Sequence, residues 1–221
     1  AGRASGYNLK VIPPVRKDID VGLASVNNDA CYPAIITIGS LLRSLQSGEY
    51  DLSRTAVMLS QTGGACRASN YIGMLKRALA RSGFSQIPVI SLNMQGLDRQ
   101  PGFELTPAFM RRIIRALIFG DALTQCLLRV RPYEALPGAA DRLVETWQKK
   151  FIDCSSHGKF TYRTYSQLLK HMISEFDHLP LTAEQSVKPK VGVVGEIYVK
   201  FSPIASNDIF HAIEQNGGEV E

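Results

Sequence analysis

The sequence predicts an α/β protein whose first lobe is a flavodoxin-like parallel sheet with flanking helices, followed by a helical middle segment and the start of a second α/β unit. Two observations carry this expectation. Short apolar runs alternate with stretches of helical spacing in the order β-α-β-α-β across residues 1–104, an order that right-handed crossovers convert into a parallel sheet. Two of the strand-to-helix turns also carry a cysteine, Cys31 and Cys66. In such a sheet both thiols leave one edge, where open α/β sheets bind their ligands.

The elements follow in order. Leu9-Lys10-Val11-Ile12, closed by Pro13-Pro14, reads as an edge strand, and Asp20 to Val26 as a short strand. Asn27-Asn28-Asp29 is a polar turn. Pro33 suits the first turn of a helix that runs apolar through Ile35, Ile36, Ile38, Leu41, Leu42 and Leu45. Ala56-Val57-Met58-Leu59 reads as a buried strand, and Gly63-Gly64 turns the chain and delivers Cys66 to a helix marked by Ile72, Leu75, Ala78 and Leu79. A third strand, Ile87 to Leu92, ends in Asn93, which is expected either to cap a turn or to share the rim with the cysteines.

Thr106-Pro107 opens one long helix or two broken ones through Phe109, Ile113, Leu117, Leu123 and Leu128, with Cys126 expected in the core. Pro132 ends that run; Arg131 and Glu134 are expected to pair, or Arg131 to meet a phosphate or carboxylate. Gly138 to Phe151 is a further helix anchored by Trp147, and Cys154 to Gly158 a loop whose Cys154 and His157 would make one pair of zinc ligands without a second pair. A helix from Tyr162 to Phe176 precedes an apolar strand from Val191 to Lys200. Ser206-Asn207-Asp208 caps a helix from Ile209 to Gln215, and Glu219-Val220-Glu221 opens a strand. The expected segments are 1–104, 105–187 and 188–221, and the chain reads as a truncated fragment of a larger protein.

Composition narrows the function classes. Hydrophobic residues at 45% and charged residues at 20% describe a globular chain, and there is neither a membrane-length apolar run nor a secretory signal. A cytoplasmic location without a membrane partner is therefore expected. The net charge of +5 is spread over helices, at Lys76, Arg77, Arg81, Arg111, Arg112 and Arg115, and is read mostly as solvated surface, with a phosphate-binding surface as the alternative; no nucleic acid is expected. Four cysteines in such a chain point to metal or redox chemistry, or to plain burial, ahead of disulfides. A cysteine at a helix start meets unpaired N–H groups that favour its thiolate; the competing role is a small buried hydrophobe. There is no Ser-His-Asp arrangement, Walker loop or dinucleotide fingerprint.

Four stretches then stand together: Val26-Asn27-Asn28-Asp29-Ala30-Cys31-Tyr32-Pro33-Ala34; Gln61-Thr62-Gly63-Gly64-Ala65-Cys66-Arg67-Ala68-Ser69-Asn70-Tyr71; Arg131-Pro132-Tyr133-Glu134; and Val194-Gly195-Glu196-Ile197-Tyr198-Val199-Lys200. Their order and wording resemble the 2-hydroxyacyl-CoA dehydratase and benzoyl-CoA reductase superfamily, in particular the dehydratase-like region of large fused proteins of the 2-hydroxyglutaryl-CoA dehydratase activator type. The resemblance implies a low-potential [4Fe-4S] cluster held mainly by cysteines. It implies an ATP-dependent activase, as a domain or a separate protein, that injects an electron into the cluster. In dehydratase relatives that electron forms a ketyl radical and expels a hydroxyl from a 2-hydroxyacyl-CoA.

Carried onto this sequence, the resemblance makes Cys31 and Cys66 thiolate ligands, with Asn28, Asp29, Gly63, Gly64 and Arg67 orienting or hydrogen-bonding the sulfurs. A cubane takes about four ligands. The third is expected beyond residue 221, in a partner chain, or nowhere. The activase's own ATP-binding motifs are absent, so the chain is expected on the electron-receiving side, as a lyase or reductase component inactive in isolation. An acyl-CoA substrate and a second copy of the chain are further expected partners. Two other classes compete: a cluster-free scaffold or interaction domain, and an anion- or CoA-binding module.

Overall fold

The computed structural model describes residues 2–27, 29–61, 66–92, 103–104, 106–156, 160–182 and 187–221. In chain order its elements are α1 (Lys17–Ser25), α2 (Tyr32–Gln46), β1 (Val57–Ser60), α3 (Tyr71–Arg81), β2 (Val89–Leu92), α4 (Pro107–Val130), α5 (Ala139–Ser156), α6 (Tyr162–Asp177), β3 (Lys190–Val191), α7 (Ile197–Phe201), α8 (Pro203–Ser206), α9 (Ile209–Gln215) and β4 (Glu219–Val220). The fold is mostly helical, and its described strands form two separate parallel pairs, β1 with β2 and β3 with β4. No helix among the described residues is long and apolar enough to cross a membrane. The chain divides into two compact units, one of Lys10–Glu104 with Glu196–Asn207, the other of Ala1–Leu9, Leu105–Gly195 and Asp208–Glu221.

In the first unit, α1 and α2 meet backbone to backbone. A Cβ on Gly39 would lie 1.9 Å from the Asp18 carbonyl oxygen, and one on Gly22 would lie 2.1 Å from the Ile35 carbonyl oxygen, so any side chain at either position forces the helices apart. Asp18 is fully buried at this crossing. It accepts the Val15 N–H at 2.8 Å and the Nε–H of Arg43, whose Nη2 also reaches the Pro13 carbonyl at 3.3 Å. Beyond the crossing, α2 packs Ile38, Leu42 and Leu45 against Leu75, Ala78 and Leu79 of α3 and against Val57 and Val89 of the sheet. β1 and β2 run parallel in the register Val57↔Val89 through Ser60↔Leu92, with α3 as their crossover.

The expected strand from Asp20 to Val26 is instead α1. The alternation of Ile19, Val21 and Leu23 imitates a strand, but the buried residues are Asp18 and Gly22, four apart, and Leu23 is exposed. Burying Gly22 against α2 requires helical spacing, and the Val26 N–H closes the last turn on the Gly22 carbonyl at 2.9 Å. Leu9 to Ile12 forms no strand, and Val11 is exposed. The expected strand from Val191 to Lys200 is also corrected: β3 has two residues, and Glu196 accepts the Val199 N–H at 2.8 Å to cap α7. Gly195, at φ 152, supplies the break before that cap.

The second unit is built on α4, α5 and α6. Thr106 caps α4 by accepting the Phe109 N–H at 3.2 Å, and the helix runs unbroken to Val130. Phe119 stacks on Phe151 with ring centroids 4.3 Å apart, and Trp147, buried as expected, donates its indole N–H to Glu175 at 3.0 Å. Cys126 is half-buried against this core, and burial pushes its thiol above the ordinary range. Cys154 lies in the last turn of α5 and not in a loop, while His157 lies outside the described residues. Arg131 does not pair with Glu134. It holds Glu214 through Nε at 2.7 Å and Nη2 at 2.9 Å, and Asp141 through Nη1 at 3.1 Å. Glu134 instead accepts the Gly138 and Ala140 N–H groups at the start of α5, at 2.5 and 2.8 Å. Asp208 precedes α9 but makes no side-chain cap, having taken left-handed backbone at φ 56.

The glycine crossing and its ion pair give a direct test by urea denaturation. Gly39→Ala should cost about 1–3 kcal/mol, as an overpacked contact does. Arg43→Ala should cost about 3 kcal/mol, because it strands a buried carboxylate. Unchanged midpoints in both variants would show that the crossing does not hold this unit together.

Candidate functional site

Both predicted cysteines sit immediately before a helical segment, in the same unit. Cys31 is the residue preceding α2, and its carbonyl takes the Ala34 and Ile35 N–H groups at 2.9 and 3.2 Å. Cys66 precedes a 3-10 turn, Arg67–Asn70, that leads directly into α3, and its Sγ accepts the Ala68 N–H at 3.5 Å. The Cys66 sulfur thus takes a backbone N–H at the start of its turn, whereas the Cys31 sulfur takes none at the start of α2, where Pro33 has no N–H and the Ala34 and Ile35 N–H groups go to the Cys31 carbonyl. Their exposure differs: Cys31 is half-buried against the core, and Cys66 is exposed.

Tyr71, the first residue of α3, contacts Cys31 and feels the charge of Cys66. Its hydroxyl stands 2.9 Å from the Cys31 Sγ. Burial pushes the Tyr71 phenol well above the ordinary tyrosine value, and the hydrogen bond to Cys31 adds to it, followed by the charges of Cys31, Cys66 and Glu196. A phenol so held keeps its proton at neutral pH, and against a Cys31 thiolate it is the donor. Gln61 fixes the position by accepting the Ile72 N–H at 3.1 Å, which ties the end of β1 to the start of α3. Glu196 enters from the cap of α7, a helix that packs on α2. The phenol of Tyr198 in that helix is likewise pushed up, first by burial and then by the charges of Asp18 and Glu196.

Asp29 and Arg67 line a cavity of about 540 Å³ between the end of α1 and α3. Asp29 is held locally, its N–H reaching the Asn27 Oδ1 at 3.5 Å and its carboxylate accepting from the Asn27 Nδ2 at 3.4 Å. Asn70, Arg77 and Arg81 line the same cavity. Asn28, Gly63, Gly64 and Asn93 lie outside the described residues. Cys126 and Cys154 belong to the other compact unit. Among the described residues no group of three His, Cys, Asp or Glu side chains could hold a metal ion. Cys31 and Cys66 thus offer two thiolates, half of what a cubane takes.

Tyr71 and Glu196 were not among the residues singled out for the site, although both fall inside the quoted motifs. The signals were positional: Tyr71 opens the helix that Cys66 leads into, and Glu196 follows a glycine at a helix start. No family model, no curated protein and no solved structure matches this chain.

Because the folded state raises the Tyr71 phenol above its unfolded value, the stability this contributes is complete below about pH 10 and is lost as pH rises beyond it. The phenolate absorbance of the protein minus that of Tyr71→Phe should titrate above the ordinary tyrosine value. Cys31→Ala should bring that midpoint down part of the way, since burial persists. An identical midpoint with and without Cys31 would show that hydroxyl and sulfur do not meet in solution.

Proposed function

We propose that this chain is an iron–sulfur-binding, dehydratase- or reductase-like domain in which Cys31 and Cys66 supply two thiolates to a [4Fe-4S] cluster. The observation that carries this reading is that both cysteines immediately precede helical segments of one unit, with the Tyr71 hydroxyl 2.9 Å from the Cys31 sulfur. The remaining ligands come from outside the described residues. In this reading the parallel β1-α3-β2 unit belongs to a flavodoxin-like sheet, the protein is cytoplasmic, and an ATP-dependent activase is its electron donor. The substrate is an acyl-CoA, and a second copy of the chain is a candidate source of the missing ligands.

When bound, the cluster supplies a one-electron relay of low potential. The chain's own residues tune and protect it. The Tyr71 O–H withdraws electron density from the Cys31 sulfur, and the Ala68 N–H does the same for Cys66; both favour the reduced state. The Glu196 carboxylate acts in the opposite sense, since a fixed negative charge near Tyr71 and the thiols opposes an added electron. Burial of Cys31 against the core shields one sulfur from water, while Cys66 remains exposed on the side from which a partner or substrate approaches.

Iron and sulfide content after anaerobic reconstitution tests the reading. The wild type should hold iron and sulfide, Cys31→Ser and Cys66→Ser should each lose most of both, and Cys126→Ser should lose none. Tyr71→Phe should keep the iron and shift the reduction potential to more negative values. Loading that is indifferent to both serine substitutions would overturn the assignment.

A further inference from the structure

The cavity between the end of α1 and α3 has a chemistry of its own. Asn70, Met74, Arg77 and Arg81 fall at helical spacing along one stripe of α3, and Arg67 stands at the turn just before it. Opposite them are the last turn of α1 and the polar segment that follows, with Asn27 and Asp29. Three guanidinium groups therefore face one carboxylate across a space of about 540 Å³, within the range of small-molecule sites.

These arginines share one cavity wall, unlike the arginines that hold partners within the fold. Arg43 and Arg131 hold buried carboxylates, Arg112 holds the Ala4 carbonyl and Ser5, and Arg115 holds the Phe160 carbonyl. Among the described residues, Arg67, Arg77 and Arg81 make neither an ion pair nor a hydrogen bond. Like charges one helical turn apart, as at Arg77 and Arg81, repel one another and work against α3. A bound anion removes that cost, and the planar guanidinium fork suits phosphate oxygens, which it engages two at a time. The amides of Asn27 and Asn70 add neutral donors, and Asp29 gives the cleft a polar group of opposite sign against a sugar hydroxyl or a second cation.

We infer that this cleft binds a diphosphate group of a small molecule; its lining includes Ala30 and Arg67, the sequence neighbours of Cys31 and Cys66. The site adds to the iron–sulfur reading and stands apart from it, because none of its residues is a sulfur ligand. It is built for a compact anion of high charge density. A single phosphate would satisfy fewer of the three arginines, and an extended polyanion would need a basic track, whereas the described cations of this wall are confined to one helix stripe and the turn before it.

Isothermal titration of iron-free protein with inorganic pyrophosphate and with ADP, at low ionic strength, tests the inference. Saturable binding is expected with one site per chain, weakened at least tenfold by the double variant Arg77→Ala/Arg81→Ala and reduced on adding salt. Arg111→Ala should leave it unchanged. Circular dichroism of the double variant confirms that α3 still folds. ADP binding more tightly than pyrophosphate supports a nucleotide as the source, and equal affinities support the free diphosphate. Absence of binding by either probe, binding indifferent to the double variant, or binding of an oligonucleotide alone would overturn it. Since the titration contains no iron, its failure leaves the cluster assignment to be judged separately by iron content, and failure of iron loading leaves the cleft intact.

Discussion

The unit that carries the thiols depends on how closely α1 and α2 approach. Two residues without side chains, Gly22 and Gly39, let the backbones touch, and Asp18 is buried where they do. Its charge is neutralised by Arg43 of the facing helix. The geometric consequence reaches the site directly. With the two helices pinned at their crossing, the short segment between Ser25 and Tyr32 spans fixed ends, and Cys31 takes extended backbone as the last residue before α2. A looser crossing would free that segment, and with it the 2.9 Å approach of the Cys31 sulfur to Tyr71.

Electrostatics at the site are a balance and not a single-sign field. A hydrogen bond to a charged group contributes about 1.5–3 kcal/mol, so Tyr71 is worth most to Cys31 when the sulfur is a thiolate. The same burial that holds the phenol's proton also penalises charge on its neighbours, and Glu196 adds negative potential to the same small region. At Cys66 the Ala68 N–H, at the start of the turn before α3, offsets this without adding a mobile cation. The arginines at 67, 77 and 81 line the cavity, where water screens their charge from the sulfurs.

Much of the local structure was legible. Pro33 and the apolar run after it mark α2, the leucine and isoleucine spacing after Tyr71 marks α3, and Thr106-Pro107 marks α4. Where the reading failed, a tertiary contact overrode a local pattern. Ile19, Val21 and Leu23 alternate like a strand, yet Gly22 had to face α2, which only helical spacing allows. Val191 to Lys200 is apolar enough for a strand, but glycines at 192 and 195 interrupt it, and Glu196 begins a helix. The pairing of Arg131 with Glu214, distant in sequence, and of Glu134 with backbone N–H groups could not be read from the proximity of the two residues. The positions of Cys31 and Cys66 just before helical segments could be read from the turn residues around them. Tyr71 could not, because its role depends on a sulfur forty residues away.

The last step concerns α3, which serves two surfaces at once. A helix turns about 100° per residue, so positions 70, 74, 77 and 81 form one stripe while 71, 75 and 78 form the next. The first stripe lines the cavity with Asn70, Arg77 and Arg81, and the second buries Leu75 and Ala78 and points Tyr71 at the thiol. Two chemically different surfaces are thereby fixed to one rigid element, whose position is set by packing against α2 and the sheet. Any ligand held by the arginine stripe is registered against the Tyr71 hydroxyl by helix geometry alone.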